Sequence, residues 1–284
     1  MTVLEAIQKS SDFLSKKGIE SARLQAEHLL AHLLKMPRMN LYLNFQRLLS
    51  EGETAALRAL VQRRGGREPL QHIVGTVSFC GFELMVNRNV LVPRPETEVL
   101  AELGWEFLLS LGRPALALDV GTGSGCLSVA LAAKCPNAKI TATDAAAAAL
   151  ALARENAKKN GMEERIDFFE GDGFAALPDG KTFDLIVSNP PYVPSDEIGR
   201  LEPEVRDFDP RAALDGGADG LDFYRKFAAQ AAIILKPSGK FMVEFGDGQA
   251  AAVRAIFEAE KWIVEAVKDD YSGRARVLAA SPNR

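Results

Sequence analysis

The sequence predicts an α/β protein: a mostly parallel sheet with helices on both faces, finished by an antiparallel hairpin and preceded by a small helical domain. Three observations predict it. From Arg113 onward, short apolar runs alternate with helical stretches, as when each pair of parallel strands is joined by a crossover helix. The last two runs are joined by Asp269-Asp270-Tyr271-Ser272-Gly273 alone, which suffices for a hairpin and is too short for a crossover helix. Before residue 68 the apolar residues fall at helical spacing.

Taken in order, Leu4, Ile7, Phe13 and Leu14, then Leu24, Leu29, Leu30, Leu33 and Leu34, mark helices that Pro37 and Asn40 interrupt. A further helix runs from Glu51 to Arg64. Ser50 and Glu53 form its capping box and Gly65-Gly66 its end. Residues 1–68 are thus expected as a helical domain. His28 and His32 share a helix face, but without an HExxH frame or a third ligand they read as packing or surface residues. Pro69 to Gly75 and Cys80 to Val86 alternate enough to be the two strands of a β-hairpin. Val92-Pro93-Arg94-Pro95 follows as a stiff extended link, so 69–94 is expected as hairpin and linker. A helix over 96–111 opens with acidic residues that suit the positive end of its dipole. Across 95–284 the candidate strands are 115–120, 139–143, 166–170, 183–188, 240–245, 262–268 and 276–281, with helices at 125–133, 145–160, 220–235 and 248–260. The five alanines 145–149 read as the start of one of those helices.

At 284 residues the chain has room for two domains. A net charge of -4 argues against a broad electrostatic grip on nucleic acid or an anionic membrane. Three cysteines, Cys80, Cys126 and Cys135, form no CxxC pair and are odd in number, as expected of free thiols in a reducing compartment. No apolar run has the length of a membrane span, and the first residues lack a basic segment followed by an apolar one. The expected location is cytoplasmic.

Two turns carry the chemistry. Gly121-Thr122-Gly123-Ser124-Gly125 follows the first sheet strand. Its glycines permit positive φ and close approach of a ligand, and the next helix points free N–H groups at that ligand. Nicotinamide-binding folds use similar turns, but the dinucleotide pattern needs a small residue where Cys126 stands. Asp144 ends the next strand, where a carboxylate can accept from both ribose hydroxyls or cap the helix of alanines. Asp172, followed by Gly173 and Phe174, is placed to meet an adenine amino group, with the Phe174 ring against the base. Together these features resemble an S-adenosylmethionine site. Asp119 is expected to order the turn.

The second turn is Asn189-Pro190-Pro191-Tyr192, directly after Phe183 to Ser188. The Asn189 side-chain oxygen and the Pro190 carbonyl are two acceptors on a proline-stiffened corner. Aimed at the hydrogens of an NH₂ group, they would hold it for methyl transfer, with the Tyr192 ring against the planar target.

The chain resembles the peptide chain release factor glutamine N5-methyltransferases, within the class I S-adenosylmethionine-dependent methyltransferases. The resemblance rests on these two turns, on Val92-Pro93-Arg94-Pro95-Glu96-Thr97-Glu98, and on the run from Glu204 to Leu221. It implies a seven-stranded Rossmann-like catalytic domain over 95–284 and a helical N-terminal domain that helps grip the release factor. The cofactor would be S-adenosylmethionine, leaving as S-adenosylhomocysteine. The target would be the glutamine of the Gly-Gly-Gln motif in bacterial class 1 release factors. The residues alone reach a planar NH₂ acceptor. An amino-methyltransferase of DNA or RNA using the same corner, and a cofactor-binding module without catalysis, are the alternatives.

Overall fold

The computed structural model describes residues 1–178 and 180–283. The chain runs through α1 (Val3–Lys16), α2 (Ala22–Leu34), α3 (Arg38–Leu43), α4 (Glu51–Gly65) and α5 (Leu70–Val74). It continues through the hairpin β1 (Thr76–Phe79) and β2 (Phe82–Met85), α6 (Pro95–Ser110), β3 (Ala115–Val120), α7 (Cys126–Lys134), β4 (Ala138–Asp144), α8 (Ala147–Lys159) and β5 (Ile166–Glu170). Then follow β6 (Phe183–Ser188), α9 (Pro203–Arg206), α10 (Asp222–Ile234), β7 (Leu235–Glu244), α11 (Ala250–Ala259), β8 (Trp262–Asp269) and β9 (Ala275–Pro282).

Two compact units result. The first is Met1–Thr76 together with Glu202–Phe208. Its helices α1 and α4 both open on capping boxes, Thr2 with Glu5 and Ser50 with Glu53. The Phe13 ring lies where a Cβ on Gly65 would stand, at 2.6 Å, so the glycine lets α4 pack against α1. Arg64 is buried in this unit and donates to Glu204 at 2.8 Å, and Arg67 pairs with the same carboxylate at 2.7 Å. Those pairs fasten the Glu202–Phe208 segment to the helical unit.

The Pro69–Gly75 run does not form the first hairpin strand. It is the short helix α5, opened by Pro69 and closed by Gly75 at φ +82. Proline at a helix start and left-handed glycine at its end outweigh an alternation only a few residues long. The hairpin is displaced to Thr76–Phe79 and Phe82–Met85. Its two-residue turn, Cys80-Gly81, has φ of +50 and +83, the type I′ sense that matches strand twist.

The second unit is Val77–Leu201 with Asp209–Arg284. Its seven-stranded sheet has the order β5-β4-β3-β6-β7-β9-β8. Pairing is parallel from β5 to β7 and antiparallel at β7–β9 and β9–β8. The strands are apolar on both sides because alternate residues face opposite layers. Ala117, Leu185 and Val187 join the core built with α6 and α7. Leu118, Ile186 and Phe241 join the one built with α10 and α11. No helix among the described residues is long and apolar enough to cross a membrane.

Asp184 ties the edge of the sheet where the parallel strands begin. Its carboxylate accepts from Arg113 at 2.7 Å, from Lys236 at 2.7 Å and from the Leu116 amide at 2.8 Å. Burial opposes its charge, but these donors hold its pKa below the usual 3.8. Asp184→Ala should lower stability by about 3 kcal/mol, since two cations and a main-chain N–H lose their acceptor. A depressed carboxylate stabilises fully above its unfolded pKa and loses that contribution as pH falls through its folded value. Urea denaturation of the two proteins should therefore show the gap at neutral pH and its closure as pH falls below the ordinary aspartate value; a gap that grew in acid would contradict the assignment.

Candidate active site

Both sequence-predicted turns leave neighbouring parallel strands at the same end of the sheet. In the β3–β6 register Val120 stands opposite Ser188, and the Ser188 hydroxyl donates to the Val120 carbonyl at 2.7 Å. From β3 the chain builds toward β4 and β5 on one side, and β6 and β7 extend the sheet on the other. Such a reversal of strand order opens a crevice at the carboxyl ends of the strands. A cavity of about 420 Å³ lies there, lined by Gly121, Thr122, Gly123 and Ser124 and by Asn189, Pro190 and Pro191. That is a small-molecule volume.

The glycine turn is held from beneath. Asp119 is fully buried, and one of its oxygens accepts from the Thr122 and Ser128 hydroxyls at 2.6 Å each. Burial pushes this carboxyl up to about 6, against the pull of those two hydroxyls. Asp144 braces the turn from the next strand, accepting the Gly123 amide and the Ala146 amide at 2.9 Å each. It therefore orders the turn and the approach to α8 while lining the cavity. Each carboxylate oxygen keeps a second lone pair for a ligand. Gly121 and Gly123 stand at φ +72 and +54, with open space where a Cβ would point. Gly125 does not line the cavity; a Cβ there would meet Ala153 at 3.0 Å, so it serves the packing of the turn on α8. Cys126 lines the cavity, but burial raises its thiol pKa well above the ordinary value, leaving it protonated and a poor nucleophile.

At the far end Asp172 and Gly173 line the cavity, and Asp172 pairs with Lys226 at 2.6 Å. Phe174 does not line it. Its ring packs on Phe227, centroids 5.5 Å apart, and the lining aromatics are Phe223 and Phe227 of α10. The sequence could not show this, because α10 lies some fifty residues further on and reaches the site only through tertiary packing.

The Asn189 corner is fixed by groups remote in sequence. The Asn189 amide nitrogen donates to the Thr97 hydroxyl oxygen at 3.0 Å, leaving the amide oxygen free to accept. The Tyr192 carbonyl accepts from Gln249 at 2.9 Å. The Tyr192 ring packs on the second core cluster rather than lining the cavity, and burial raises its phenol to about 12. Val193 makes a parallel bridge with Asp215. A Cβ on Gly216 would stand 2.8 Å from the Pro191 carbonyl oxygen, and one on Gly220 would overlap the Tyr192 carbonyl oxygen. The glycines of Asp215–Gly220 thus let the chain lie directly against the corner. Upstream of that run, Asp209 is buried, pairs with Arg94 at 2.9 Å, and is raised to about 6 by burial. Pro210, Ala212 and Ala213 complete the wall.

Thr97, Arg94, Asp209 and Glu244 were given no individual role by sequence reasoning. The stretches holding Arg94, Thr97 and Asp209 stood out through the family resemblance, Glu244 stood only within a candidate strand, and nothing local in Pro95-Glu96-Thr97 tells which side chain turns inward. A polar residue one turn into a helix whose neighbours Val99, Leu100 and Ala101 are core is the trace that could have been followed.

Comparison with known proteins agrees with this architecture. The PrmC N-terminal domain model matches residues 5–75, and the Methyltransferase small domain model matches residues 104–200. The chain is 45% identical to the release factor glutamine methyltransferase of Geobacter sulfurreducens, over 98% of this chain and 95% of that one. It is 44% identical to the enzyme of the same name from Rhodospirillum rubrum, over 94% of this chain and 81% of that one. Among solved structures, a methyltransferase from Pyrococcus furiosus superposes with a TM-score of 0.53 at 22% identity, covering 72% of this chain and 90% of that one; at that distance it shares the fold.

Two glycines separate backbone strain from contact. Gly248, at φ +80, has open space around it, whereas Gly220, at φ +74, faces the Tyr192 carbonyl. Gly248→Ala should cost about 1–2 kcal/mol for left-handed backbone alone, and Gly220→Ala a further 1–3 kcal/mol for overpacking. Urea denaturation of both variants compares them; equal losses would show that the corner yields freely.

Proposed function

This chain belongs to the release factor glutamine methyltransferase family, and from that premise we propose how its site works and on what. It transfers a methyl group from S-adenosylmethionine to the side-chain amide nitrogen of a release-factor glutamine. The finer substrate is the glutamine of the Gly-Gly-Gln motif in bacterial class 1 release factors, in the cytoplasm. The observation that carries the reading is the Asn189 corner, with its amide nitrogen tied to Thr97, across one cavity from the glycine turn.

The residues present fit the cofactor. Gly121 and Gly123 leave open the space a Cβ would fill, Asp144 and Asp172 offer carboxylate oxygens, and Phe223 and Phe227 give an apolar wall for a base. When bound, S-adenosylmethionine supplies an electrophilic methyl on a sulfonium. Everything else is asked of the chain. An amide nitrogen is a weak nucleophile because its lone pair is delocalised into the carbonyl. The Asn189 oxygen and the Pro190 carbonyl accept its two hydrogens, hold the group in place and favour the pyramidal geometry of the transition state. Pro190 and Pro191 keep the acceptors from relaxing away. No strong base is needed, since the methylated nitrogen is cationic and loses its proton to water. This suits a site whose thiol, Cys126, is held protonated. Tyr192 contributes by anchoring the corner in the core through its ring.

Release factor incubated with the protein and S-adenosylmethionine should gain the mass of one methyl, mapped to the glutamine. Transfer to oligonucleotides and none to release factor would reverse the reading. Asn189→Ala should lower kcat by about 10²-fold or more, with cofactor Kd shifted far less. Asp144→Ala should chiefly weaken cofactor binding, measured by calorimetry, because both the turn and a ligand acceptor are lost.

A further inference from the structure

An amide side chain does not by itself choose which end faces a ligand. Its oxygen and its NH₂ are nearly the same size, and only hydrogen-bond partners distinguish them. For Asn189 the choice decides function, because the oxygen must face the acceptor's NH₂. The inference rests on the functional reading above and concerns what makes that choice.

We infer that Glu244, acting through Thr97, is a positioning residue that sets which end of the Asn189 amide faces the acceptor nitrogen. Thr97 is buried, with 2% of its surface exposed, and its oxygen lies 3.0 Å from the Asn189 amide nitrogen. Glu244 ends β7, beside the strand that ends in Ser188, and is 1% exposed. Its carboxyl is close enough to the Thr97 side chain for that hydroxyl to favour its ionised form. An ionised carboxylate only accepts, so the single hydroxyl proton of Thr97 points to Glu244. The Thr97 oxygen can then only accept from Asn189, and it selects the NH₂ end. The Asn189 oxygen is left for the acceptor. Turning the amide over would set two oxygens face to face with no proton between them, a buried mismatch that disfavours the flipped form.

Protonation of Glu244 removes the constraint. The acid can donate to Thr97, the Thr97 proton can turn to the Asn189 oxygen, and the flipped amide is satisfied. Its NH₂ then meets the acceptor's NH₂, donor against donor. Little else pins the carboxyl, since its second oxygen is buried without a partner. The charged groups around it divide. Arg276 on β9 and Arg94 before α6 favour ionisation, and Glu96 opposes it. The Tyr192 and Tyr224 phenols also feel its charge, and burial raises both. Arg276 is shared with Asp270 and the Phe245 carbonyl. Tyr224 donates to the main-chain carbonyl of Glu244 at 3.0 Å, which fixes the strand end and leaves the carboxyl free to titrate. Burial outweighs the cations and raises the group to about 7. A raised carboxyl keeps its proton below that value, so transfer should be full above about pH 7 and fall as pH drops through it.

The test uses the full chain, S-adenosylmethionine at saturation and release factor as acceptor, with kcat followed between about pH 5.5 and 9. Wild type should show an acid limb of unit slope with its midpoint near neutrality. Glu244→Gln cannot titrate and should lose that limb, with a rate at high pH about 10-fold below wild type, because its amide can donate or accept. Thr97→Val should lower kcat by about 10²-fold at every pH, with cofactor Kd within about 3-fold, and Thr97→Ser should recover most of the rate. Cofactor binding by each variant reports that it is folded. A Thr97→Val enzyme within 2-fold of wild type, or an acid limb unchanged in Glu244→Gln, overturns the relay. Failure of wild type to methylate release factor would overturn the functional reading instead.

Discussion

The pairing of β3 with β6 is the constraint from which the rest of the site follows. Because Val120 stands opposite Ser188, the two turns that leave those residues start side by side at one edge of the sheet. Neither turn has to find the other; the ladder delivers both. The Ser188 hydroxyl bond to the Val120 carbonyl secures the last pair, where a parallel ladder is most inclined to fray. A one-residue slip would exchange the faces of Leu185, Ile186 and Val187, all fully buried, so the two cores themselves hold the register.

Around that fixed point the chain spends polar groups that would be costly elsewhere. Asp119, Asp209 and Glu244 are buried carboxyls, and burial raises all three. All three serve the edge where the parallel strands end. Asp184 serves the opposite edge, and its donors hold it below its ordinary value. A carboxylate met by two cations and an amide is built for stability. Carboxyls kept short of partners are built to hold other groups in set orientations, and such strained electrostatics gather at functional sites.

The corner also shows how remote segments share one task. Asn189 takes its orientation from Thr97 at the start of α6. Tyr192 takes its backbone anchor from Gln249, just before α11. The glycines at 216 and 220 give up side chains so that the chain can lie against the Pro191 and Tyr192 carbonyls. Preorganised acceptors do not have to reorganise as charge develops, and here the rigidity comes from contacts that span most of the catalytic unit.

Much of this was legible in the sequence, because periodicity and turn chemistry are local. The alternation from Arg113 onward, the short final link and the two turns were enough for the seven-stranded sheet with its antiparallel end and for the proposed cofactor and acceptor corners. Local pattern misled at Pro69–Gly75, where a few alternating residues also fit a turn and a half of helix. Other matters were decided only by tertiary structure: the turning of Phe174 onto Phe227, the supply of Phe223 and Phe227 to the cavity wall, and the meeting of Thr97 with Asn189. The physical reason is the range of the interactions. Backbone preferences act over a few residues and are written in neighbours, whereas the partner of a buried polar group is whatever the packed sheet and helices bring within hydrogen-bond reach.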